Sequence, residues 1–125
     1  MLPAPCINLL LVDDHPLVRE GLVALIHLQA NMRVVAEASS GKEGIAAYRA
    51  YRPDVTLMDL SMPDMNGLEA TAAILAEFTQ ARIIILSVSN ERFPEALQRG
   101  AKACLLKEAP IQDVFETIRQ VHRNG

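Results

Sequence analysis

Five short, mostly apolar runs punctuate the chain, at residues 7–12, 34–38, 55–58, 83–86 and 103–106. Each is rich in Leu or β-branched residues and too continuous for a strand with one wet face, so the set predicts a parallel sheet covered on both faces. The segments between them carry helical spacing. In the last, Ile111, Val114, Phe115, Ile118 and Val121 step by three and four along one face, and Val18, Leu22, Leu25 and Ile26 predict a similar buried face in the first. Boundary residues agree. Ser40 can cap a helix that begins near Gly41, Pro53 and Asp54 interrupt the chain before the third strand, and Gly67 and Gly100 mark turns.

Strand and helix therefore alternate as (βα)5, an α/β pattern over residues 1–125 with no repeat, low-complexity tract or linker to divide it. Right-handed crossovers make such a chain doubly wound, and five strands suit the flavodoxin-like order 2-1-3-4-5. In that order strands 1 and 3 are neighbours at the switch point. Ligands of such sheets bind beyond the carboxyl ends of the strands, which selects the residues to collect.

Composition narrows the picture. A chain of 125 residues fits one domain that buries roughly two thirds of its unfolded surface. With half the residues hydrophobic but only 4% aromatic, its core must be aliphatic. A net charge of -3 with scattered Lys and Arg argues against direct contact with nucleic acid. Cys6 and Cys104 have neither metal-ligand nor disulfide-framework spacing, which fits a reducing cytoplasm. The first residues lack the basic region, cleavage site and apolar length of a signal or membrane span.

Collecting the strand ends gives Asp13 and Asp14 after strand 1, Asp59 after strand 3, Ser87 after strand 4 and Lys107 after strand 5. Each alone has an ordinary structural reading. The acid pair can cap a helix beside Pro16, Asp59 can cap the turn in MPDMNG, Ser87 can be a strand-end hydroxyl and Lys107 a solvated lysine. Their conjunction at one sheet edge changes the reading. Two carboxylates about 5 Å apart at an effective dielectric near 20 repel by roughly 3 kcal/mol, and three make three such pairs. Lys107 relieves part of that. A hard divalent ion relieves the rest, and Mg²⁺ suits a site of few carboxylates that leaves coordination places open for phosphate. Asp59 at the switch point then reads as a nucleophile, with the metal, Lys107 and the Ser87 hydroxyl placed to receive the oxygens of a transferred phosphoryl group.

With those residues in place, the stretches VDDHPLVREGL, EASSGKEGI, PDVTLMDLSMPDMNGLEA, IIILSVSN and GAKACLLKE stand in the order of a response-regulator receiver domain, a CheY-like fold. The resemblance covers essentially the whole chain. DDHPLVREGL and LLKE particularly resemble receivers that precede the helix-turn-helix of LuxR/FixJ-type two-component transcriptional regulators. By matching position, the resemblance implies Asp59 as phosphoacceptor, Asp14 as a direct Mg²⁺ ligand, Asp13 as a ligand through water and the Ser61 carbonyl as a backbone ligand. It places Ser87 and Lys107 at the phosphoryl group, and Ser61 and Ser89 at positions that tune phosphoryl lifetime. It further implies a sensor histidine kinase as partner, homodimerisation on activation, and DNA contact only through a C-terminal domain absent from this chain.

Two departures bear on signalling. Cys104 stands where the family carries an aromatic switch residue, and Pro94 leaves room only for a short or irregular helix 4 over residues 94–99. They motivate an alternative expectation: an atypical receiver acting as a phosphorylation-independent dimerisation module. A stand-alone phosphatase would need a water-activating base, and none is evident; an FMN phosphate would want backbone donors where the first loop is acidic. His15 reads as a local cap or surface group, Met58, Met62 and Met65 as packing residues, and Cys104 as a small buried apolar group.

Overall fold

Successive side chains of a strand point to opposite faces, so a continuous apolar run in a sheet fills two cores at once. The computed structural model describes residues 6–62 and 64–124; the sequence readings that fall on residues 1–5, 63 and 125 lie outside them. Its strands are β1 (Ile7–Val12), β2 (Met32–Ala38), β3 (Val55–Asp59), β4 (Ile83–Ser87) and β5 (Ala103–Leu106). Its helices are α1 (Pro16–Ile26), α2 (Gly41–Tyr51), α3 (Gly67–Glu77), α4 (Phe93–Gln98) and α5 (Ile111–Asn124). All neighbouring strands are parallel, and the order is β2-β1-β3-β4-β5, as the pattern predicted.

Leu10, Val12, Met58, Ile83 and Ile85 face one core with Leu68 and Ile74 of α3. Leu9, Leu11, Leu57, Ile84 and Leu86 face the other, against Ile26 of α1 and Val114, Phe115, Ile118 and Val121 of α5. Each fully buried Leu, Ile or Val contributes about 1.5–3 kcal/mol, so the central strands fix the sheet.

Three expectations are corrected. Both-face burial holds for β1, β3 and β4, but β2 carries exposed Arg33 and Glu37 and β5 is half-buried throughout, because edge strands are only partly covered. The expected buried face of α1 is only partly buried. Ile26 is fully buried and Leu22 packs beside it, whereas Val18 and Leu25 are exposed because Val23, not they, turns towards the sheet. Helix α4 is short, but begins at Phe93 rather than Pro94, with the proline in its first turn.

The helix starts were legible. Ser40 Oγ accepts from Glu43 N at 3.1 Å at the head of α2, and Asn66 Oδ1 accepts from Glu69 N at 2.9 Å at the head of α3. Gly100 supplies the turn before β5 with φ of +108°, a conformation side chains resist.

Candidate functional site

Strand register builds the site. Val12 pairs with Met58, Asp59 with Leu86, and Ser87 with Leu106, so the carboxyl ends of four strands finish level. Asp59 and Ser87 are the last residues of β3 and β4 rather than following them as expected from the sequence, while Asp13 and Lys107 follow β1 and β5 directly. Both followers remain tied to the ladder: Asp13 N donates to the Ala38 carbonyl at 3.0 Å and Lys107 N to the Ser87 carbonyl at 2.8 Å.

The side chains converge. Asp13, Asp14, His15 and Asp59 each offer a ligand atom, and those atoms all lie within 4.8 Å of one another. Lys107 Nζ bridges two of the acids, at 2.9 Å from Asp13 Oδ2 and 3.3 Å from Asp59 Oδ2. Asp59 accepts from Ser61 N through Oδ1 at 3.3 Å. Among the described residues, no well-directed hydrogen bond reaches its Oδ2, although it is near Lys107, nor the buried Oδ1 of Asp14.

Burial raises the proton affinity of Asp59 above that of an ordinary aspartate, and the charge of Asp13 adds to the effect. Lys107 and the Ser61 N–H oppose this without cancelling it. For Lys107, burial works against the charge, but the hydrogen bond to Asp13 and the charges of Asp59 and Asp13 outweigh it and hold the ammonium above the usual lysine range. The cluster therefore carries more negative charge than its lysine balances. Two buried carboxylate oxygens without a well-directed hydrogen bond from any described residue, in an acidic, mainly oxygen donor set, fit a hard divalent cation.

Two cavities open on this edge. One, of about 570 Å³, is lined by Asp14, His15, Ser61, Asn66 and Arg92 among others. The second, of about 140 Å³, is bordered by Ser61, Ser87, Ser89 and Arg92. A third, of about 200 Å³ along Lys102, Thr117 and Gln120, contains none of the site's side chains.

Of the residues singled out by sequence, Asp13, Asp14, Asp59 and Lys107 meet directly, and Ser61, Ser87 and Ser89 line the adjoining space. Ser87 Oγ accepts from Ser89 N at 3.3 Å, and Ser89 Oγ from Glu91 N at 3.2 Å. Cys104 stands apart. Its thiol points at the Phe93 carbonyl, at 3.9 Å, and so contacts α4 rather than the acids. Burial pushes that thiol above the usual cysteine range.

Four residues mattered more than their sequence reading. His15 occupies the cap position of α1 but makes no side-chain cap; its Nδ1 lies 3.1 Å from both Asp13 Oδ1 and Asp14 Oδ1. Arg19 donates to the Asp13 carbonyl at 2.6 Å and pairs with Glu37 at 3.3 Å. Gly67, read only as a turn, lets α3 start against the Asp59 backbone: a Cβ there would lie 2.1 Å from the Asp59 carbonyl oxygen. Arg92 had no pattern to mark it.

The comparisons with known proteins agree with this geometry. The chain is 41% identical over 115 residues to the nitrate/nitrite response regulator protein NarL of Escherichia coli K12, covering 90% of this chain but 53% of that protein. The chain thus spans about half the length of that curated relative. A two-component response regulator of the LuxR family from Aurantimonas sp. SI85-9A1 superposes with a TM-score of 0.91 at 33% identity, over 95% of this chain and 86% of that one. The CheX-CheY-BeF3-Mg+2 complex from Borrelia burgdorferi matches with a TM-score of 0.85 at 25% identity, over 92% of this chain and 88% of that one. Residues 9–119 match the profile of the response regulator receiver domain, and with the level strand ends and the acid cluster beside Lys107, this chain belongs to that family.

Proposed function

We propose that the chain accepts a phosphoryl group from the phosphohistidine of a sensor kinase onto Asp59, in a Mg²⁺-dependent reaction. The observation that carries this reading is the convergence of Asp13, Asp14 and Asp59 within 4.8 Å, beside Lys107. A carboxylate oxygen of Asp59 forms the new bond to phosphorus as the bond to the donor imidazole breaks. Asp13, Asp14, Asp59 and the Ser61 carbonyl would hold the ion, which would supply positive charge against that of the transferred group. Lys107 leaves its bridge between Asp13 and Asp59 to pair with one phosphoryl oxygen, and Ser87 Oγ donates to another. The chain turns over no external substrate beyond its own phosphorylation and dephosphorylation, with Ser61 and Ser89 setting the lifetime. Phosphorylation shifts a pre-existing equilibrium towards a homodimer, in the cytoplasm, and DNA is reached only through a C-terminal domain not present in this chain.

Incubation with acetyl phosphate and Mg²⁺ tests the reading: one hydroxylamine-labile phosphate per chain is expected, and none after Asp59→Asn. No label on the native chain, or equal label on the variant, overturns it. The six-residue α4 and the Cys104 thiol facing it favour a second reading, a dimerisation module indifferent to phosphorylation. Sedimentation with and without beryllofluoride and Mg²⁺ separates the two, because the module keeps the same oligomeric state in both.

A further inference from the structure

We propose that Arg92 is a phosphoryl-binding residue that carries the state of Asp59 into α4; the inference rests on the reading of Asp59 as phosphoacceptor. Arg92 lines both cavities at the site. With Leu60 and Ser61 it lines both the cavity that holds Asp14 and the one that holds Ser87. A phosphoryl group on Asp59 that reaches towards both Asp14 and the Ser87 hydroxyl extends towards both cavities, and Leu60, Ser61 and Arg92 are the residues the two linings have in common.

Charge selects the same side chain. A phosphoryl group adds about 1.5 to 2 negative charges and three acceptor oxygens. Lys107 supplies a single charge, which Asp13 and Asp59 already draw on, and Arg19 is committed to the Asp13 carbonyl and Glu37. Among the described residues, Arg92 is the one fixed cation lining either cavity. Its planar fork matches phosphate geometry.

Release costs little. Arg92 now pairs with Glu95 through Nη2 at 3.1 Å and Nε at 3.2 Å, an i,i+3 pair with both side chains near half-exposed. Exposed pairs of that kind contribute little to stability. Glu95 is not orphaned when Arg92 leaves, because Arg99 Nη2 also holds it at 3.2 Å.

The position also explains how the event could be read without the missing aromatic. The Arg92 carbonyl accepts from Ala96 N at 2.9 Å in the first turn of α4, and the next residue, Phe93, offers its carbonyl to the Cys104 thiol. A pull on Arg92 towards Asp59 therefore acts on the start of α4 and on its contact with β5. The exchange of Glu95 for phosphate is the two-state element.

The test is titration of the whole chain with beryllofluoride in Mg²⁺, followed by amide NMR, on the native protein, Arg92→Gln, Arg92→Lys and Glu95→Gln. Arg92→Gln is expected to bind roughly tenfold more weakly, the effect of one lost charge-assisted hydrogen bond. It should also lose the amide shifts of residue 93 and residues 95–98 while keeping those around Asp13 and Lys107. Glu95→Gln, with Arg92 released in advance, should bind more tightly, and Arg92→Lys should fall between because it keeps the charge but not the fork. If all four proteins bind equally and residues 93 and 95–98 shift alike, the role of Arg92 is overturned while the phosphoacceptor reading stands. If the native chain does not bind beryllofluoride at all, both fail. Unliganded spectra of the variants that match the native protein exclude a folding defect at this exposed position.

Discussion

Asp59→Asn should stabilise the metal-free protein. The oxygens of Asp13 and Asp14 lie within 4.8 Å of Asp59, so at an effective dielectric near 20 each repels its charge by about 3.5 kcal/mol. Lys107 at 3.3 Å returns about 5 kcal/mol on the same scale. Two repulsions against one attraction leave a deficit of about 2 kcal/mol. Solvent screening of the 29% exposed Asp14 side chain reduces the deficit, and burial of Asp59 at 3% adds to it. Asn keeps the shape and still accepts from Ser61 N. In EDTA at pH 7 the variant should melt about 8 °C higher, given the entropy of unfolding of a chain this size.

The pH dependence follows from the sign of the shift. Because folding raises the proton affinity of Asp59, its favourable contribution is complete below the unfolded value, near 3.9. That contribution is lost as pH rises through the raised folded value. The gap between variant and native protein should therefore open with rising pH and close in acid. Millimolar Mg²⁺ should narrow it, since the ion stabilises only a site with its carboxylates intact. Urea denaturation between pH 4.5 and 7.5, with EDTA or Mg²⁺, measures all of this. A variant no more stable than native at pH 7 in EDTA, or a gap that does not change with pH, refutes the electrostatic account of the site.

Lys107→Met should destabilise the metal-free protein by about 3 kcal/mol at pH 7, because it leaves two buried carboxylates uncompensated; adding Asp59→Asn should recover part of that in a double-mutant denaturation cycle. Gly67→Ala should cost about 3 kcal/mol in urea denaturation and abolish labelling by acetyl phosphate, since the new Cβ meets rigid backbone at Asp59 and Leu60 rather than a yielding side chain. Cys104 should react with iodoacetamide at pH 8 roughly tenfold more slowly than exposed Cys6, as its half-buried thiol is held protonated; mass spectrometry of a time course reads the two sites separately.

The alternation of five apolar runs with amphipathic segments determined the sheet, because burial on two faces admits few residue choices and right-handed crossovers admit few topologies. It also determined that Asp13, Asp14, Asp59, Ser87 and Lys107 would share one sheet edge, since topology alone levels the strand ends that precede or include them. Edge effects were beyond it: the pattern of β2 and of α1 looks alike whether or not a neighbour covers the face, so the exposure of Val18, Leu25 and Glu37 needed the packed molecule. Side-chain direction was likewise decided only by the tertiary structure. Lys107 bridges Asp13 and Asp59, His15 leans on the acid pair, and Arg92 looks over both cavities. A linear pattern encodes which residues share an edge, whereas distances of 3 Å between residues 13, 59 and 107 depend on register and rotamer, which exist only once the sheet has closed around them.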